Sequence, residues 1–310
     1  MKSIKPFFKI IDEICIEKNI EQKWLSYGWI RELKKDNKSH YIMNYQFDLN
    51  SNVSCKIAND KFATYEVLYS NNIPTIEHRI IFNPKTRSAF YKNKFIEEIK
   101  ELLEKNEKIV IKANDSCKGK DVYLCTTQND IENIVKKLFD ENKDSLSACP
   151  YLEIDYEYRV IYLCDEIVYI YKKKKPYVIG NGKDTLEKLI SQKKSDCKID
   201  LIKELDFDYV PKNGEEITIS WKHNLSSGAE PIIVDEYDEN IFNIKQIALN
   251  AARCMNINFA SVDIALTKSK EILVMEVNGS VCMNKFSEVI PDGFNIAKNI
   301  YSKAVDKMFQ

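Results

Sequence analysis

An α+β protein of more than one lobe is what this sequence predicts, and three observations carry the prediction. The first is the stretch FASVDIALTKSKEILVMEVNGS, Phe259 to Ser280, where apolar residues alternate with period two on both sides of the polar turn Thr267 to Lys270. That is the pattern of a β-hairpin. The second is that other stretches keep helical spacing instead, as at Phe7, Phe8, Ile10, Ile11, Ile14 and Cys15. The third is size: 310 residues, 44% hydrophobic and 30% charged, suffice for one multi-lobed unit or two to three subdomains around a large core.

The elements follow in order. Residues 5 to 18 read as a helix, and Tyr27 to Leu33 and His40 to Phe47 as short runs about the charged turn Lys34 to Lys38, so that residues 1–54 form a short N-terminal cap. Ile57 to Asn72 reads as one amphipathic helix, with Asn59 or Asp60 as cap candidates and Asn71-Asn72 as its stop. After a charged helix from Phe95 to Lys105, KIVIKANDSCKGKDVYLC gives strand, loop, strand, with Lys112 at the end of the first strand. A helix from Asp130 to Asn142 precedes SACPYLEIDYEYRVIYLCDEIVYIYKKKKPYVIGNGKDTLEKLI, a strand, a turn, two long β-rich runs and a helix. A polar insertion, Lys193 to Lys212, comes next; a helix from Asn240 to Cys254 leads into the hairpin, and Phe294 to Phe309 closes the chain.

Composition excludes several classes. With 46 basic and 47 acidic residues the net charge is −1, so no global field favours nucleic acid or an anionic membrane, and any anion must be bound locally. Charges recur through MKSIKPFFKIIDEICIEK and no run of about 18 apolar residues occurs. The expectation is a cytoplasmic protein without a nucleic-acid or membrane partner. Nine cysteines without a Cys-x-x-Cys pair read as free, mostly buried thiols. The three histidines are widely separated and read as structural or exposed, His223 being set apart because it lies inside a motif described below.

Within the hairpin, Val262, Ile264 and Leu266 share one face of the first strand, and Leu273, Met275 and Val277 one face of the second; these read as core. The opposite faces carry Asp263 from one strand and Glu276 and Asn278 from the other. Three oxygen ligands converging in this way suit Mg²⁺ that completes its shell with water and phosphate oxygens. Ordinary solvated acids on a half-exposed hairpin are the alternative.

VDIAL followed after a short turn by ILVMEVN resembles the C-terminal metal signature of the ATP-grasp superfamily, with Asp263, Glu276 and Asn278 at the ligand positions. The resemblance implies two α/β lobes clamping Mg-ATP: an N-lobe over residues 55–148 and a C-lobe with the metal site over 149–310. It further implies that Lys61, from the Asp-Lys pair of NDKFATYEVLYSNNIPT, reaches the ATP phosphates together with Lys112 and Lys118, and that the loop through Gly119 covers the triphosphate. Pro150, Tyr151 and Leu152 would form the hinge that presents backbone groups to adenine. Glu157 takes the ribose position, with Glu153 as its competitor.

Glu157-Tyr158-Arg159, the basic run ending in Pro176 and Gly180-Asn181-Gly182 resemble the amino-acid ligase branch of that superfamily. Lys222-His223-Asn224-Leu225-Ser226-Ser227-Gly228 is similar to a basic stretch of the same branch, one residue shorter before the Asn and with Ala229 for the second glycine. This branch implies an ADP-forming carboxylate-amine ligase that makes an amide bond through an acylphosphate, acting on an amino acid or peptide. Lys222, Asn224 and Arg159 would bind the carboxylate or acylphosphate oxygens. Within the Lys172 to Lys175 run, a solvated turn competes with Lys174 or Lys175 facing an anionic substrate. A small-molecule kinase and a non-catalytic nucleotide-binding module are the rival readings, and a homo-oligomer is left open.

Overall fold

A computed structural model describes residues 5–86, 95–115, 121–193, 199, 201–202, 204–235 and 237–310. The cap consists of helix α1 (Pro6–Glu17), which buries Phe7, Ile10, Ile11, Ile14 and Cys15, and an antiparallel sheet of β1 (Glu21–Leu25), β2 (Ile30–Lys35), β3 (Lys38–Met43) and β4 (Gln46–Phe47).

Two helices then replace the single one expected over 57–72. Helix α2 (Asn52–Asn59) ends at Asp60, which is extended at φ −102° and ψ 111°, and α3 (Lys61–Ser70) begins at the next residue. The Asp60 carboxylate accepts from the Ala63 N–H at 2.8 Å, satisfying a donor that a helix start would otherwise leave unpaired. A capping residue inside an otherwise helical pattern therefore restarts the helix and makes Lys61 its first residue.

The N-terminal lobe is an antiparallel sheet, in the order β5 (Arg79–Phe82), β8 (Ser145–Pro150), β6 (Ile109–Ala113), β7 (Val122–Cys125), with helices α4 (Phe95–Asn106) and α5 (Gln128–Asp140). Ile81, Ile109, Ile111, Ala113, Leu146 and Ala148 pack against those helices. Because side chains alternate along a strand, Ile80, Val110, Lys112, Ser147 and Cys149 project from the other face.

The C-terminal lobe holds a five-stranded antiparallel sheet. Its elements are β9 (Ile154–Leu163), β10 (Glu166–Lys174), β13 (Glu230–Ile233), β14 (Phe259–Thr267) and β15 (Ile272–Asn278), in the spatial order β13–β10–β9–β14–β15. A small side unit of β11 (Tyr177–Ile179), α6 (Leu186–Gln192) and β12 (Glu216–Thr218) buries Val178, Leu186, Leu189 and Ile219. Ile199, Leu201 and Leu205, from the segment read as a polar insertion, pack against it. Gly180 permits a close crossing there, since a Cβ would lie 2.2 Å from the Lys212 carbonyl.

Helix α7 (Ile241–Cys254) covers one face of the five-stranded sheet, where Tyr158, Val160, Tyr162, Val262, Ile264, Val274 and Val277 meet Ile244, Ala248, Ala251 and Ala252. Ala58 and Leu68 join this core, so packing groups α2 and α3 with the C-terminal sheet rather than with β5–β8. The opposite face is covered at one end by the cap with α8 (Asn284–Val289) and α9 (Gly293–Phe309), over Ile161, Leu163, Tyr171 and Phe259.

Strand β15 departs from simple alternation. Asp263 pairs with Glu276 but Ile264 pairs with Val274, so Met275 is the extra residue of a bulge. Val274 and Val277 therefore share the core face. Leu273 moves to the face of Glu276, contrary to the expectation that Leu273, Met275 and Val277 point together. Among the described residues no helix is long and apolar enough to cross a membrane.

Candidate active site

The register of the five-stranded sheet aligns Tyr171, Arg159, Asp263 and Glu276 in one row across β10, β9, β14 and β15. The next row contains Lys173, Glu157, Ala265 and Leu273. These rows lie on the same face that the cap, α8 and α9 cover at one end, with Tyr171 at the border and Glu157, Lys173 and Asp263 buried beyond it. Arg159 grips Asp263 in bidentate fashion, Nε to Oδ1 at 2.8 Å and Nη2 to Oδ2 at 2.7 Å. Lys173 reaches Asp263 Oδ2 at 2.9 Å and also bonds Glu157, whose other oxygen lies 3.8 Å from His223 Nδ1.

Burial would raise the Asp263 carboxyl, but the adjoining Arg159 and Lys173 outweigh it and hold it down at about 2. For Glu157 burial prevails over Lys173 and the direction is upward. His223 is pushed down to about 3 by burial and by the charges of Lys175 and Lys173.

Lys61 is buried at the start of α3, with Nζ 3.2 Å from the Asn114 carbonyl and 3.8 Å from Glu276 Oε1. Asn114 also accepts from the Phe62 N–H through its side chain, at 3.1 Å. It thereby ties the end of β6 to the start of α3, so that both lysine-bearing segments are fixed relative to one another. Lys112 stands on β6 opposite Ser147 and Val122. Lys118 and Gly119 lie outside the described residues.

At the hinge, Pro150 has no N–H and the Tyr151 N–H donates to the Lys108 carbonyl at 3.0 Å, so the reading of adenine contacts there rests on Leu152 and on carbonyl groups. Tyr151 and Leu152 join an apolar cluster with Ile76, Val110, Cys149, Val122, Trp221, Leu273 and Met275, which draws on both sheets. The shift of Leu273 by the bulge is what brings it here. Of the two ribose candidates, Glu153 is exposed and paired to Lys268 at 2.8 Å, whereas Glu157 is buried in the charged rows.

Arg159 and Lys222 are not brought onto one group. Lys222 Nζ donates to the Val122 carbonyl at 3.1 Å and lies beside the Trp221 ring, spanning to the other lobe. Asn224 caps a short turn, its side chain accepting from the Ser226 N–H at 2.9 Å. In the lysine run, Lys172 pairs with Asp238 and Lys174 with Glu216, and it is Lys173 that enters the charged rows. The sequence reading missed Lys173 and Asn114. Strand parity with Arg159 across a hairpin was the signal available for Lys173.

Asp263, Glu276 and Asn278 suit Mg²⁺ by chemistry, being oxygen donors only. Directly opposed residues of an antiparallel pair have Cβ atoms roughly 4.5–5.5 Å apart, and Mg²⁺ takes oxygens at about 2.0–2.1 Å, so one ion could bridge Asp263 and Glu276. It would share Asp263 with Arg159 and Lys173. Among the described residues no group of three or more His, Cys, Asp or Glu side chains is placed to hold a metal ion.

This architecture has known counterparts. The chain is similar to the bifunctional glutathione synthetase from Pasteurella multocida (TM-score 0.58, 17% identity, covering 97% of this chain and 44% of that one). It is also similar to D-alanyl-alanine synthetase A from Vibrio cholerae O1 biovar eltor str. N16961 (TM-score 0.57, 14% identity, covering 97% of this chain and 92% of that one). The fold is the ATP-grasp fold, as the hairpin signature implied. Within it, residues 220–303 match the RimK-like ATP-grasp domain. In sequence it is 28% identical over 281 residues to the glutathione biosynthesis bifunctional protein GshAB of Clostridium perfringens (strain 13 / Type A). That match covers 83% of this chain and 33% of the relative, so the chain spans about a third of the relative's length.

Proposed function

We propose that this chain is an ADP-forming carboxylate-amine ligase acting on an amino acid or peptide. The observation that carries the reading is the row Arg159, Asp263, Glu276, with Lys61 against Glu276 from the other side. It sets two carboxylates and two cations together beyond the end of the sheet that the cap covers, which is what binding a metal-bound polyphosphate requires. The names of the relatives, glutathione and D-alanyl-alanine synthetases, support an amino-acid or peptide substrate.

In this reading a substrate carboxylate attacks the γ-phosphorus of ATP, ADP leaves, and an amine displaces phosphate from the acylphosphate to form the amide. Mg²⁺ on Asp263, Glu276 and Asn278 would neutralise phosphate charge. Lys61 and Lys112 offset the remainder, and the apolar cluster from both sheets holds the base. Arg159 is anchored by Asp263 and offers its remaining N–H groups to the acyl oxygen. Lys222, fixed against β7, serves the nucleotide side of the cleft, and Asn224 orders the turn behind it.

The test is ADP release measured with amino acids and peptides supplied in pairs, followed by the mass of the product. The expected result is ADP that depends on both partners and a product mass equal to their sum less one water. ADP formed with a single partner would make the protein a kinase, and no ADP with any pair would overturn the reading.

A further inference from the structure

His78 is 2% exposed and is used by nothing described so far. Its Nδ1 lies 2.9 Å from the Ile76 carbonyl. A carbonyl can only accept, so Nδ1 carries the proton and Nε2 of the neutral ring is a bare acceptor. Burial, and next the charge of Lys112, push the imidazole down to about 3, so the ring is neutral at physiological pH. Nε2 is buried and has no hydrogen-bond partner among the described residues, an expensive condition for a polar atom.

The position of this acceptor is informative. Arg79 pairs with Ala148, whose side chain faces the helices, so His78 and Cys149 fall on the opposite face of the sheet. Cys149 belongs to the apolar cluster with Val110, Tyr151, Leu152, Leu273 and Met275. A purine placed there would have His78 beside it. The phosphates and ring nitrogens of ATP are acceptors and cannot satisfy Nε2, whereas the 6-amino group of adenine is a donor carried by the base itself.

Resting on the proposed nucleotide site, we infer that His78 Nε2 accepts a hydrogen bond from the exocyclic 6-amino group of the bound purine, so that His78 selects 6-aminopurine over 6-oxopurine nucleotides. A 6-oxo group would set acceptor against acceptor and leave both unpaired.

The test compares ATP, ITP, which has 6-oxo, and purine riboside 5′-triphosphate, which has hydrogen at position 6, by competition against a fluorescent ATP analogue with Mg²⁺ present. In folded His78→Leu the preference for ATP over each of the other two should shrink by roughly three- to tenfold, the worth of one such bond; an unchanged preference overturns the inference. A second measurement needs no variant. In protein labelled with ¹⁵N-histidine, which contains three histidines, the Nε2 resonance of His78 should move upfield with ATP and stay in place with purine riboside triphosphate. The same movement with both nucleotides would place a lysine ammonium or water on Nε2 and overturn the inference. Failure of the wild type to bind any of the three would instead overturn the nucleotide site itself, and this inference with it.

Discussion

The two ends of one sheet face, one charged and one apolar, are built from the same strands by different interactions. Along β9 and β14, side chains of the same parity read Leu163, Ile161, Arg159, Glu157 and Phe259, Ser261, Asp263, Ala265. At one end the cap, α8 and α9 lie over Ile161, Leu163 and Phe259, and the core is apolar. Two residues further on, beyond the cap, the same strands present Arg159, Asp263 and Glu157, which are packed with Lys173 and His223. Tyr171 marks the border: its ring packs 4.9 Å from Phe286 in the apolar end, while its hydroxyl, opposite Arg159, is buried without a hydrogen-bond partner among the described residues. A strand is thus not assigned to core or site as a unit. What covers each residue decides it, and the ion pairs Arg159–Asp263–Lys173–Glu157 do at one end what hydrophobic contact does at the other.

The largest effect should come from breaking the charged end. Asp263→Ala strands Arg159 and Lys173 as buried cations and should cost about 3–5 kcal/mol, read from the urea midpoint. Ile161→Ala at the apolar end should cost a similar 2–5 kcal/mol while leaving nucleotide binding by the folded fraction intact. If Asp263→Ala is as stable as wild type, the ion pairs contribute nothing to the fold.

Charge and protonation state around the charged end give the next two. Glu276, 33% exposed and facing Lys61, is less tightly bound into the fold than Asp263. Glu276→Gln should therefore leave the denaturation midpoint nearly unchanged and lower Mg-dependent ATP turnover on the order of a hundredfold. Near-normal turnover would sink the metal assignment.

The pH prediction follows from His78 and His223, both held at about 3 when folded. An unfolded histidine titrates near 6.5. Between those values the unfolded chain binds more protons, so their contribution is complete above about pH 6.5 and is lost as pH falls toward 3, with a slope of up to about 1.4 kcal/mol per pH unit for each. Glu157, raised by burial, acts in the opposite sense in its own window. The difference between wild type and His78→Phe is therefore the informative quantity: the variant should show a shallower fall from pH 6.5 to 5, by up to one proton. Parallel curves would show that His78 does not titrate as described.

The smallest effect belongs to the border. Tyr171→Phe removes only the unpartnered hydroxyl and should be neutral or stabilising by up to about 1 kcal/mol. A loss above about 2 kcal/mol would mean that the hydroxyl holds the charged end together.

What the sequence by itself determined is local in origin. Period-two alternation and a Glu-x-Asn pattern placed Asp263, Glu276 and Asn278 on a hairpin, and the register of the structure pairs Asp263 with Glu276. The order of most strands and helices was legible for the same reason, since each depends on a few neighbouring residues, whereas β1, β5 and α8 were not read from the sequence. Only the tertiary structure decided that Asp60 restarts a helix so that α2 and α3 pack on the far sheet, and that a bulge at Met275 delivers Leu273 to the cleft. It alone decided that Lys173 enters the charged rows in place of Lys174 or Lys175, and that His78 faces the cleft. Each of these depends on which distant surface covers a side chain and which buried polar atom finds a partner, and chain-local periodicity contains neither quantity.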